Sequence, residues 1–228
     1  MYRLKSPSTW DSRIVIDNLI DILELVVRVD PSPKLCSDLQ LNLQTLQRWH
    51  NTPDADSKHL AELIQQTESL VNSLTTNLES LETNFADHYL LHLVRRRKNI
   101  VGGTSKSDLP SFFYWLQKGP KQRHIELLEW LAPLEPLRNA IDLNLYLIRN
   151  NAQVSTQVAE AGLFQTTLTQ TTSYQLIQVV LPVEQISFPD IRTGRRNLTI
   201  KFLEYAEMRQ APKPFEQNIN FELRCCLI

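Results

Sequence analysis

Two sets of cations are the side chains of this 228-residue chain best placed to do chemistry. The first is Arg95-Arg96-Arg97-Lys98, which leads through Asn99-Ile100-Val101 into Gly102-Gly103-Thr104-Ser105-Lys106 and on to Asp108-Leu109-Pro110. Cations ahead of a glycine-rich loop are the ingredients of a phosphate site. This loop lacks the form G-x-x-x-x-G-K-[ST], however, no apolar strand precedes it, and successive arginines on a helix spread around its axis. The glycines read instead as backbone freedom at a C-cap or tight turn, with Asp108 and Pro110 opening the next helix. Gly102, Gly103, Asp108 and Pro110 are therefore expected to form a structural corner, made positive by Arg95 and Arg97.

The second set is Arg192, Arg195, Arg196, Lys201 and Arg224, on or beside short alternating runs and within a stretch poor in acids. Arg195 and Lys201 have the parity of an outward strand face, whereas Arg196 has the inward parity. Such a patch suits a partner that carries negative charge. The cations of the corner would complete it if the helical corner docked against the sheet.

Other constellations fall short of chemistry. His88 and His92 stand four apart, a chelating spacing on a helix, but the glutamate of H-E-x-x-H is absent and no third ligand lies near in sequence. There is no G-x-S-x-G elbow and no cysteine in a nucleophile context. Cys225 and Cys226 are vicinal, which strains a disulfide, and read as one buried and one exposed strand-end position. Phe112-Phe113-Tyr114-Trp115 would stack single-stranded bases only if its rings were exposed among cations, and it is expected to fill a core. The chain is expected to be neither an enzyme nor a cofactor protein.

The elements that must position these residues divide the chain into two. Ser8 and Thr9 are N-cap types ahead of a helix over Trp10 to Val29, whose polar Asp17, Asp21, Glu24 and Arg28 share one stripe, so most of its circumference must be covered. Asp30-Pro31-Ser32-Pro33 stops it, and a second helix over Lys34 to Trp49 is expected as its antiparallel neighbour, ending at the Asn51-Thr52-Pro53-Asp54 turn. From about Asp56 a long helix carries the heptad seam of Leu60, Leu63, Thr67, Leu70, Leu74, Leu78 and Leu81, either for a partner or for its own bundle. Asn72 to Asn77 is poor in helix formers and is expected to break or bend it. Helices over Asn84 to Lys98, Lys121 to Leu131 and Glu135 to Arg149 follow. Near Asn150 alternating runs replace the helical period, with strands expected at Gly162 to Thr169, Tyr174 to Leu181, Gln185 to Phe188, Arg196 to Glu204 and Asn218 to Cys226. In the fourth, Leu198, Ile200 and Phe202 face inward; in the last, Ile219, Phe221, Leu223 and Cys225 do. The fold class is α+β, an all-helical, bundle-like domain over residues 1–150 followed by an antiparallel β-rich domain over 151–228.

Composition bounds the rest. A hydrophobic share of 42% supports a buried core, and a net charge of -1 leaves attraction to local clusters. The most apolar run, Ile14 to Val29, is interrupted by charge, so no membrane span is expected, and Met1 to Pro7 lacks a secretory core. Three cysteines in poor spacing suit a reducing, cytoplasmic setting.

The corner also carries a resemblance. Val94, Arg97, Ile100, Gly102, Gly103, Asp108, Leu109, Pro110, Trp115 and Leu116 fit, without a gap, the frame V-x-x-R-x-x-I-P-G-G-x-x-x-x-D-L-P-x-x-x-x-W-L of the Z-ring-associated protein D (ZapD) family. Val101 replaces the proline of that frame, and Phe113 stands where relatives commonly have histidine. Trp130-Leu131-x-x-Leu134-x-Pro136-Leu137, Phe188-Pro189-Asp190-Ile191 leading to Thr199-Ile200-Lys201-Phe202, and Phe221 to Cys226 resemble the family too, so the likeness spans essentially the whole chain. Tyr2, Pro7 and Arg13 match the amino-terminal motif loosely. The resemblance implies a homodimer that binds the carboxy-terminal tail of the tubulin-like division protein FtsZ and bundles its filaments at midcell. Relatives carry a pattern like K-x-R-x-x-I-R-F; Lys201 fits its last cation, Asn197 stands at an earlier arginine, and Arg195 or Arg196 would substitute. Without the resemblance, the same cations would suit a nucleic-acid-binding module.

Overall fold

Ser8 opens the first helix, its hydroxyl accepting from the Trp10 N–H, and Asp30 closes it in the left-handed region with its N–H returned to the Val26 carbonyl at 2.9 Å. The computed structural model describes residues 2–52, 57–86, 88–168, 174–194, 196–205 and 210–227, in two units, Met1–Asn144 and Leu145–Ile228. The helices are α1 (Thr9–Val29), α2 (Ser32–His50), α3 (Ser57–Ala86), α4 (Tyr89–Lys98), α5 (Pro110–Leu116), α6 (Pro120–Leu131) and α7 (Glu135–Asn150), and short 3-10 turns cover Tyr2–Lys5 and Ala132–Leu134. Among the described residues no helix is long and apolar enough to cross a membrane.

Two clusters hold the helical unit. Ile16, Leu19 and Ile20 of α1 meet Leu91 and Val94 of α4, Phe112, Trp115 and Leu116 of α5, and Leu127 of α6. Leu35 and Leu39 of α2 meet Leu74 of α3 and Leu137 and Ala140 of α7, with Leu70 and Val71 packed against them. The α3 seam is thus used inside the unit as far as Leu74; the side chains of Leu78 and Leu81 lie outside the described residues. The side chains of Asn42 and Asn144 share a buried hydrogen bond at 2.8 Å.

Several sequence expectations are corrected here. α2 lies along α3, not along α1, and α1 is covered on only part of its circumference, since Ile22, Leu25 and Val29 are exposed. Pro53 and Asp54 of the expected turn lie outside the described residues. α3 runs unbroken through Asn72 to Asn77, where the Ser73 and Thr75 hydroxyls donate back to the carbonyls of Ser69 and Val71, a bonding mode compatible with a continuing helix. The helix expected over Asn84 to Lys98 is two helices, with His88 between them as the N-cap of α4. His88 and His92 therefore do not share a helix face: the His88 Nδ1 accepts from the Leu91 N–H at 3.3 Å, its ring stands edge-on to Trp130 with centroids 4.6 Å apart, and His92 is exposed. The aromatic run is split by the helical period, with Phe112 and Trp115 buried and Tyr114 exposed.

The β unit holds β1 (Ala152–Ala159), β2 (Leu163–Thr167), β3 (Tyr174–Val180), β4 (Phe188–Thr193), β5 (Asn197–Glu204), β6 (Lys213–Pro214) and β7 (Ile219–Leu227). They form two antiparallel sheets, β1-β7-β3 and β2-β5-β4, with β6 also paired to β5. The inward residues Leu198, Ile200 and Phe202 of one sheet meet Ile219, Phe221 and Leu223 of the other, with the Phe202 and Phe221 rings 5.3 Å apart. β1 was not among the expected strands, and the run expected at Gln185 to Phe188 begins instead at Phe188. The inward series of β7 is followed by Cys226, fully buried, while Cys225 is half-buried, so neither cysteine is the exposed one. Cys36, Cys225 and Cys226 are all free thiols, and burial pushes each one's pKa up.

Burial lowers the His88 pKa, outweighing the raising effects of its own backbone and of the nearby Glu126 charge. The unfolded chain, with an ordinary histidine pKa of about 6.5, then binds more protons than the folded one in mild acid. The stability from a neutral His88 is complete above that value and is lost as pH falls towards and through the lowered folded value. His88→Asn keeps an N-cap acceptor and removes the titration. Denaturant melts of this variant at pH 7.5 and pH 5.5 are expected to differ less than those of the parent chain.

Candidate functional site

The corner begins where α4 ends. Gly102 has φ of +73°, and a Cβ at Gly103 would sit 2.6 Å from the Arg97 carbonyl oxygen. One glycine is required by conformation and the other by close approach. Beyond them the Ser105 hydroxyl donates to the Asp108 carboxylate at 2.6 Å and accepts from the Asp108 N–H at 3.3 Å. Arg97 reaches the same carboxylate at 3.8 Å. The N-cap position of α5 is Leu109, with Pro110 at the first turn, so Asp108 closes the corner and does not cap the helix by its side chain.

The cations of α4 are largely spent within the unit. Arg95 Nε lies 3.1 Å from Glu24, and Lys98 pairs with Asp21 and donates to the Asp17 carbonyl at 3.0 Å. The acidic stripe of α1 is thus the partner of the basic end of α4. Burial raises the Asp17 carboxyl and Asp21 adds to it, against the lowering pull of Lys98 and Arg13.

Beside the corner lies a groove that the sequence analysis did not single out. Its walls are Thr9, Trp10 and Arg13 from α1, Gly102, Thr104 and Ser105 from the corner, and Phe113, Leu116 and Gln117 from the α5 end, around a volume of about 580 Å3. The Arg13 guanidinium lies over three rings, 4.6 Å from the Phe113 centroid, 5.1 Å from Phe112 and 5.5 Å from Trp10. Among the described residues no carboxylate lies within ion-pair distance of Arg13, whose charge acts on Asp17 only from further off, and Trp10 is 72% exposed. A half-exposed guanidinium fixed on an apolar floor, with hydroxyls around it, can take a carboxylate flanked by apolar side chains. The sequence signal was the three-residue spacing of Trp10 and Arg13 on one helix face, seen only once Phe113 is known to face them.

Arg123 of α6 sets these walls. It is only 3% exposed, and it donates to the Ser12 hydroxyl at 3.1 Å and to the carbonyls of Leu116 at 2.9 Å, Pro7 at 2.6 Å and Lys118. Ser12 adjoins Arg13, and Leu116 lines the opposite wall.

The second cation set is dispersed. Lys201 lies on the outer face of β5, opposite Asp190 on β4 and Leu163 on β2. Arg192 shares that face two residues along, but it is paired with Asp190 at 3.0 Å. Arg196 is exposed in the bend between β4 and β5 and not within the strand, and Arg195 lies outside the described residues. Arg224 lies on the outward side of β7 in the other sheet, paired with Glu222. Because the two sheets meet by their inner faces, Arg224 points away from Lys201. The structure separates Arg224 from Lys201.

Residues 2–201 match the model of the ZapD family, described as a cell division protein. The chain is 31% identical over 215 residues to the cell division protein ZapD of Ralstonia nicotianae, covering 93% of this chain and 84% of that protein. Identity is 30% over 215 residues with the ZapD protein of Ralstonia pickettii, at 93% and 84% coverage, and 27% over 223 residues with that of Azoarcus sp., at 98% and 88%.

Gly102→Ala is expected to cost about 1 kcal/mol for a side chain at positive φ. Gly103→Ala is expected to cost more, because its Cβ meets a backbone oxygen that cannot withdraw. Chemical denaturation of the two variants beside the parent reads both; equal stability of all three would show that the corner is not under conformational constraint.

Proposed function

From the premise that this chain belongs to the ZapD family of cell division proteins, we propose that it is a non-enzymatic accessory of division. In this reading it holds the carboxy-terminal tail of FtsZ and, as a homodimer, bundles FtsZ filaments at midcell in the cytoplasm. The observation that carries the reading is the Arg13 groove. A peptide tail with acidic and apolar residues needs a cation to orient it and an apolar surface to hold it, and the groove offers both within one unit. A single contact of this size is weak and salt-sensitive; two sites on one dimer turn it into filament cross-linking through avidity.

A second reading places the tail on the outer face of β5. Lys201 stands there next to Leu163, which is 42% exposed, with Arg196 exposed at the hairpin end. Arg192 on the same face supports it less, since it already faces Asp190, and Arg95, Arg97 and Arg224, which belong elsewhere, are each paired with a carboxylate of their own. Nucleic acid fits either place poorly. A net charge of -1 gives no long-range attraction, and the groove offers one cation where a backbone would need a row.

Fluorescence anisotropy with an FtsZ tail peptide decides between them. Arg13→Glu is expected to weaken binding by about tenfold or more, the scale of one lost charge-assisted contact, and to flatten its salt dependence. Lys201→Glu is expected to change little. The opposite pattern would assign the site to β5, and unchanged binding in both variants would remove both places from consideration.

A further inference from the structure

Among the described residues β1, β2, β3, β4 and the two-residue β6 lie at the margins of the two sheets, and all but β1 are guarded against further pairing. β4 carries Pro189, Asp190 and Arg192. β2 has five residues, and β6 continues that side of β5. β3 has an irregular register between Tyr174 and Leu176. Such devices are how sheets avoid joining edge to edge. β1 has none of them: it reads Ala-Gln-Val-Ser-Thr-Gln-Val-Ala, without charge or proline, and pairs with β7 in unbroken register from Ala152 to Ala159. Among the described residues no strand lies on its other side.

In the middle of the strand the outer face is also symmetric about Thr156. Val154 and Val158 stand two residues to either side of it, and Ser155 and Gln157 one residue. Val154, Thr156 and Val158 share the outer face, where the two valines are 58% and 48% exposed.

We propose that β1 is the seam of the homodimer, pairing antiparallel with β1 of a second copy about a two-fold axis through Thr156. The sheet β3-β7-β1 then continues directly into the partner's. In that register Thr156 faces its own counterpart, and Val154 faces Val158 of the partner subunit, giving β-branched cross-strand pairs on the outer face. A foreign peptide would have no use for this symmetry, and an edge without cations has nothing to capture an acidic tail. The proposal rests on the dimer reading above and adds its geometry.

Thr156→Cys tests the register. Directly paired residues have Cα atoms about 4.5–5.5 Å apart, within reach of a disulfide. Mild oxidation is expected to cross-link this variant into a covalent dimer well beyond the parent with its own three thiols. Val158→Cys is expected not to cross-link, because its counterpart would lie about 13 Å away along the strands. Thr156→Lys sets two like charges face to face. In analytical ultracentrifugation it is expected to weaken self-association at least tenfold, with tail-peptide affinity per chain unchanged. No cross-linking of Thr156→Cys above the parent, or a Thr156→Lys chain that stays dimeric, overturns the proposal. A Thr156→Lys chain that stays dimeric but loses the tail would make this edge the peptide site instead. A parent chain that is monomeric at micromolar concentration overturns both the seam and bundling by bridging, and leaves tail binding at Arg13 standing.

Discussion

The helical unit depends on a buried cation that meets no carboxylate among the described residues. The Arg123 guanidinium is surrounded by neutral acceptors, namely the carbonyls of Pro7, Leu116 and Lys118 and the hydroxyl of Ser12, which in turn donates to the Ser8 carbonyl. The three carbonyls belong to places where regular structure begins or ends, so one side chain satisfies groups that a helix cannot satisfy for itself. Breaking such a network would leave several buried acceptors unpaired, at about 1–3 kcal/mol for each one. Next to it, Glu126 accepts from Trp115 at 2.6 Å, Lys118 at 2.7 Å and Gln122 at 2.9 Å. Burial alone would raise the Glu126 carboxyl, but those donors outweigh it and hold it below the usual carboxylate range. The turn between α5 and α6 is thereby fixed from two sides, and with it one wall of the groove.

Charge in this protein is placed for local pairing. α1 has three faces: Ile16, Leu19 and Ile20 enter the core, Asp17, Asp21 and Glu24 meet the basic end of α4, and Ile22, Leu25 and Val29 are left exposed. The pairs with α4 are solvent-accessible and add little stability, but they draw Arg95 and Lys98 away from any outside partner. Arg13 lies further towards the start of the same helix, is held by aromatic faces, and keeps its donors available. Which cation is available is decided by neighbours distant in sequence, not by the density of charge along the chain.

That is also why some of the molecule was legible in the sequence and some was not. Long periodic stretches such as α1, α2 and α7, and the alternation of β5, have one dominant burial pattern and were read to within a few residues. The corner was legible because glycine and proline have few uses. β1 was missed because its inner residues include Ser155 and Gln157, which bond to each other at 3.1 Å at the margin of the sandwich, so no apolar alternation marks it. Arg224 and Lys201 fall on different sheets, which the sequence did not show, because parity places a residue on a face of its own strand but does not say which sheet that strand joins. The Arg13 groove needed contacts between residues about one hundred positions apart.

The thiols described above have a practical side. All three native cysteines are at least half-buried, and each has its pKa pushed up by burial, so at neutral pH little of the reactive thiolate is present at any of them. Maleimide dyes and spin labels react through that thiolate. A single cysteine introduced on the open surface would therefore be modified well ahead of the native ones. The wild-type background can serve directly for distance measurements by fluorescence or electron spin resonance, without first stripping the sulfur from two packed cores.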